Sequence, residues 1–87
     1  MATELSNRET IVTTIAKIVI QRKGLTIVVR GGIEQAARRG WDEGANDGTY
    51  YEYAFGTACG FAYDQGFWAA KNIDELGLER VLEIIRA

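Results

Sequence analysis

The chain has no histidine, no proline, one cysteine (Cys59) and one methionine. Without histidine it lacks the commonest general base and metal ligand. A single cysteine can supply neither an internal disulfide nor a thiolate zinc site. Absent proline permits long helices. There is no secretory signal pattern and no apolar run of the roughly 20 residues needed to cross a bilayer. The expectation is a soluble cytoplasmic protein, not an enzyme, with no cofactor, no metal and no membrane partner.

What is present fits one domain over residues 1–87. A chain this short buries only somewhat more than about 60% of its unfolded surface, so its stability is thin or shared with a partner. The composition is 47% hydrophobic and 25% charged, near the globular average. Net charge is −2, but the signs are segregated. Residues 1–41 hold seven Arg/Lys against three Glu, whereas residues 42–87 hold three against nine Asp/Glu.

"SNRE" at 6–9 fits a capping box, with the Ser6 hydroxyl and Glu9 satisfying each other's backbone N–H groups, so a helix is expected over 7–22. Ile11, Ile15, Ile18 and Val19 follow at helical spacing, and Gly24 supplies a stop. The β-branched content of "IVTTIAKIVI" equally permits a β-hairpin over about 15–30, with "RKG" as its turn. Residues 25–30 are expected to be extended or strand-like, with helix an equal fit. Gly31-Gly32 reads as a break before a helix over 33–46, and "NDG" at 46–48 as its cap. "TYYE" at 49–52 repeats the capping-box pattern and predicts a helix over 50–71. "NIDE" at 72–75 opens a last helix over 74–86, with Gly77 marking a late start. The fold class is therefore mostly α: a compact helical domain with a close-packed Gly/Ala helical hairpin, the alternative being α+β.

Glycines at 40, 44, 48, 56 and 60 all fall on multiples of four. If the two central helices pack antiparallel about 47–49, Gly40 meets Gly56, Ala36 meets Gly60, Gly44 meets Glu52 and Gly32 meets Asp64. Close backbone approach then offsets the helix cost of about 1 kcal/mol per glycine. Asp64 would also cap the free N–H groups at 31–33. The stripe equally suits contact with another copy. Between Tyr50 and Ala70 only Glu52 and Asp64 are charged, and a helix so apolar all round has to be covered on several sides. A homo-oligomer is expected, a dimer first.

The acidic cluster Asp42, Glu43, Asp47 and Glu52 does not follow a calcium-loop pattern, because glycine falls third and aspartate sixth when counting from Asp42. Glu52 and Asp64 lie roughly 18 Å apart by helical rise, too far to act on one bond. "VVRGGIE" at 28–34 is a weak likeness of an anion-binding glycine turn. Cys59 has no activating base nearby in sequence and reads as a small core residue. The resulting expectation is a non-enzymatic protein-binding module. By size and composition alone it suits a phage-encoded, anti-CRISPR-like inhibitor of a host defence nuclease or polymerase. Its contacts would be Trp41, Asp42, Glu43, Asp47, Tyr50 and Tyr51. The alternative is a nucleic-acid-binding protein using Arg22, Lys23, Arg30, Arg38 and Arg39.

Overall fold

The first helix stops at its glycine. In the computed structural model, which describes residues 2–46, 48 and 56–87, helix α1 runs Ala2–Lys23 and Gly24 follows with φ +64°. The Leu25 N–H donates to the Ile20 carbonyl at 3.0 Å and the Gly24 N–H to that of Gln21 at 3.4 Å. This pair of bonds closes a helix end on a left-handed residue, and Ile20 and Leu25 on either side of it both pack against the core. The β-branched run is helical because its stripe, Ile11, Val12, Ile15, Ala16 and Val19, is almost wholly buried. Burial of about 1.5–3 kcal/mol per large aliphatic outweighs a propensity cost of a few tenths. The start expected near residue 7 is displaced, and Ser6 lies inside the helix. The Glu9 carboxylate that would close the box is held instead by Arg38 and Arg8.

The alternative hairpin over 15–30 and the extended or strand-like reading of 25–30 are both replaced. A short 3₁₀ turn, Ile27–Val29, leads directly into α2, Arg30–Ala45. Gly31 and Gly32 do not break this helix. They lie in its first turn, where a side chain would meet nothing within 4 Å. Asn46 caps the other end with φ −104° and ψ 12°, outside the left-handed region, its backbone and side-chain N–H groups both donating to the Asp42 carbonyl. Beyond it, Asp47, Thr49 and the segment 50–55 lie outside the described residues, and with them the "TYYE" box, Glu52 and the start expected for the next helix.

Helix α3 spans Ala58–Leu76 rather than 50–71. Gly56 has φ +83° and Thr57 is extended, so no helix passes through them. Thr57 is the cap, its Oγ1 accepting from the Gly60 N–H at 3.0 Å. "NIDE" starts nothing. Asn72 lies within α3, its amide donating to the Trp68 carbonyl at 2.8 Å. The break falls at Gly77, with φ +87° and ψ 158°, and α4 is Leu78–Arg86. Among the described residues there is no strand.

The glycine seam lies within the chain, but its direction is the reverse of that expected. A Cβ added at Gly40 would strike the Tyr63 carbonyl, and one at Gly66 the Ala37 carbonyl. One at Gly44 would come within 2.7 Å of the Phe67 carbonyl oxygen. At the near end, Cys59 Sγ lies 3.8 Å from the Gly32 carbonyl oxygen. Residue numbers rise together along both helices, so α2 and α3 run parallel. Gly66, not Gly56, completes the seam from α3. Gly56 is exposed, and Cys59 adjoins Gly32, so the register that set Asp64 opposite Gly32 is not the one formed. Helix α1 is antiparallel to both: Arg8 reaches Asp42 near the end of α2, and Lys23 reaches Gly56 before α3. Val81, Leu82 and Ile85 of α4 close the core formed with Ile33, Ala36, Ala37, Trp41, Ala62, Tyr63 and Ala69.

Candidate functional site

Folding joins the basic and acidic halves of the sequence at two ion pairs, Arg8–Asp42 and Arg39–Glu43. Asp42 accepts both Nε and Nη2 of Arg8 at 2.8 Å, and Arg8 also contacts Glu9 at 2.7 Å. Glu9 in turn accepts from Arg38 at 3.0 Å, Arg38 lies 3.6 Å from Glu34, and Glu34 pairs with Arg30 at 2.8 Å. These six residues form one net-neutral chain of charges across α1 and α2. Hydrogen bonding by Arg38 holds the Glu9 carboxyl below its usual pKa; desolvation opposes it, and the nearby positive charges of Arg38 and Arg8 add to the lowering. The Asp42 and Glu9 carboxylates push the Arg8 and Arg38 guanidinium groups up.

The residues expected to meet a partner are separated by this arrangement. Trp41 is only 5% exposed and belongs to the core. Glu43 accepts from the hydroxyl of fully buried Tyr63 at 2.7 Å and from Arg39 Nε at 3.3 Å. Asp42 remains at the surface but is gripped by Arg8. Asp47, Tyr50 and Tyr51 lie outside the described residues. Nor do the five basic residues gather. Arg30, Arg38 and Arg39 each pair with a carboxylate, while Arg22 and Lys23 donate to the Arg86 and Gly56 carbonyls at 3.2 and 3.3 Å.

The geometry draws attention to the opposite end of α2. A 3₁₀ turn has three residues per turn, so three consecutive side chains point in different directions. Ile27 is 70% and Val28 82% exposed, and Val29 is also open to solvent. Beside them is an apolar groove of ≈ 460 Å³ lined by Leu25, Val29, Gly32, Ile33, Thr57, Ala58 and Cys59. Residues 21–33 contain Arg22, Lys23 and Arg30 and no acid, and residues 56–63 contain no charge. Exposed neighbouring aliphatics around an uncharged groove are a feature of interaction surfaces. A strand-like reading of 25–30 concealed this surface, because it would have placed alternate side chains in a core. The observable signal was "TIVV", an apolar run beside Gly24 and Gly31 with no periodicity to bury it.

Among the described residues no group of His, Cys, Asp and Glu is arranged to hold a metal ion, and no helix is long and apolar enough to cross a membrane. Compared with family models, curated proteins and solved structures, the chain matches none.

Proposed function

We propose that this chain is a non-enzymatic protein-binding module whose contact surface is the apolar end formed by Ile27, Val28, Val29 and the adjoining groove. The observation that carries this reading is the exposure of the Ile27 and Val28 side chains, which take no part in the core formed by the described residues. Burying two such side chains against a partner contributes about 1.5–3 kcal/mol each, comparable to the anchors of small interfaces. The acidic residues 42 and 43 serve the fold first in this reading. Cys59 has a carbonyl rather than a base beside it, which supports a binding role over nucleophilic chemistry. Inhibition of a host nuclease or polymerase, in the anti-CRISPR manner, is the specific form that small size and a pI near 5.0 favour.

The test is capture from host lysate with the wild-type chain, Ile27→Ser/Val28→Ser, and Asp42→Asn. The apolar double variant is expected to lose the captured partner and Asp42→Asn to keep it. Capture unaffected by the double variant, or tight binding of duplex DNA at physiological salt, overturns the reading.

A further inference from the structure

The far end of α3 carries a surface whose chemistry complements the apolar end. Leu76 is exposed there, flanked by Asp74, Glu75 and, across Gly77, Glu79. None of these three carboxylates has a hydrogen-bond or ion-pair partner among the described residues, whereas most other acids at the helix surfaces are paired. Lys71 stands a turn earlier, over the Phe67 ring at 5.6 Å, and Arg80 is engaged by Glu83. At the other end of α3, Lys23 and Arg22 reach only uncharged carbonyls, so their charges are uncompensated beside Ile27, Val28 and the groove. One end of the molecule is thus apolar and positive. The other is apolar and negative, roughly 28 Å away along a helix of this length.

We infer that the partner seated on the apolar end is a second copy of this chain, presenting its Leu76 corner: Leu76 meets Ile27, Val28 and the groove, while Asp74, Glu75 and Glu79 face Lys23 and Arg22. This inference rests on the binding role given above to the apolar end. Because the two surfaces lie on opposite ends, the contact is head-to-tail, and it forms rings or short chains rather than an isologous dimer. The apolar area is modest, so the association is weak and depends on charge complementarity.

Sedimentation equilibrium of the full chain tests it, from about 10 μM to about 1 mM, at low salt and at about 0.5 M salt, where the screening length falls to a few ångströms. The weight-average mass is expected to rise with concentration at low salt and to return to the monomer at high salt. Lys23→Glu and Glu75→Lys should each remain monomeric where wild type associates. An equimolar mixture of the two should associate again, since each variant then offers the end the other needs. Ile27→Ser, which changes no charge, should also abolish association, and circular dichroism verifies that every variant is folded. A wild-type chain that is monomeric throughout, an association insensitive to salt, or a mixture that stays monomeric overturns the inference. If self-association is absent yet Ile27→Ser/Val28→Ser still loses a captured partner, the binding role stands and only the second copy is excluded. If the apolar variants change neither property, both readings fall.

Discussion

Gly40 of α2 lies directly against the backbone carbonyl of Tyr63 on α3, with no room between them for even a methyl group. The obstructing atom is main chain, so no rotamer change relieves the clash. Gly40→Ala should therefore destabilise by at least about 2 kcal/mol, despite alanine's helix propensity advantage of about 1 kcal/mol. Gly66→Ala, against the Ala37 carbonyl, should behave alike. Thermal or urea unfolding checks both, and an unchanged midpoint for either would show that the seam is looser than described.

Gly32 is the contrasting case. It sits in the first turn of the same helix with open space around its Cα. Gly32→Ala should raise stability by about 0.5–1 kcal/mol, because it removes backbone freedom from the unfolded chain and strains nothing. A lower melting temperature would indicate that position 32 is not free at its surface.

Gly77 joins α3 to α4 with a backbone conformation, φ +87° and ψ 158°, that other residues adopt only under strain. Gly77→Ala should cost about 1–3 kcal/mol, even though no atom crowds the site. Hydrogen exchange should show the loss first in α4, which the turn docks onto the core. Uniform loss across all four helices would argue against that local origin.

Tyr63 joins the seam to the surface acids through its 2.7 Å bond to Glu43. Tyr63→Phe keeps the ring and removes the hydroxyl, so a loss of about 1–2 kcal/mol is expected. In a double-mutant cycle with Glu43→Gln the two changes should be strongly non-additive. Strict additivity would mean that the bond does not contribute in solution.

Acid should weaken the α1–α2 contact. The Glu9 carboxyl titrates below its usual value in the folded chain, so it binds fewer protons than in the unfolded chain. Its stabilisation is complete above the unfolded pKa and is lost as pH falls through the folded one. Because the pair is well exposed, the effect should stay under about 1 kcal/mol. Glu9→Gln should flatten that part of the stability curve between roughly pH 5 and 3; an identical curve would remove Glu9 from the account.

Helices were legible where local chemistry and burial agree. The stripe from Ile11 to Val19, the left-handed stop at Gly24 and the delayed start after Gly77 were all visible in residue order. The glycine positions announced a close helix contact, and Gly40 and Gly44 do form it. Its direction was not legible, because a spacing of four looks the same read either way along a helix. The parallel arrangement shows only in which carbonyls oppose which glycines. The candidate site was concealed for a related reason. Whether "TIVV" is buried depends on what packs over it, and nothing within those residues encodes that. Glu9 misled because its capping role was outcompeted by Arg38, 29 positions away.

The parallel course of α2 and α3 also places an entropic cost on closing the seam. Helices α1 and α2 adjoin across a short link and can pair early. The glycine seam joins positions about 25 apart and can close only after the chain has doubled back along the whole length of α2, which costs loop entropy before any contact is made. Until then, the backbone surfaces of Gly40, Gly44 and Gly66 face water, with no side chains to shield them. The tightest contact in the native molecule is thus one that no local pairing can make.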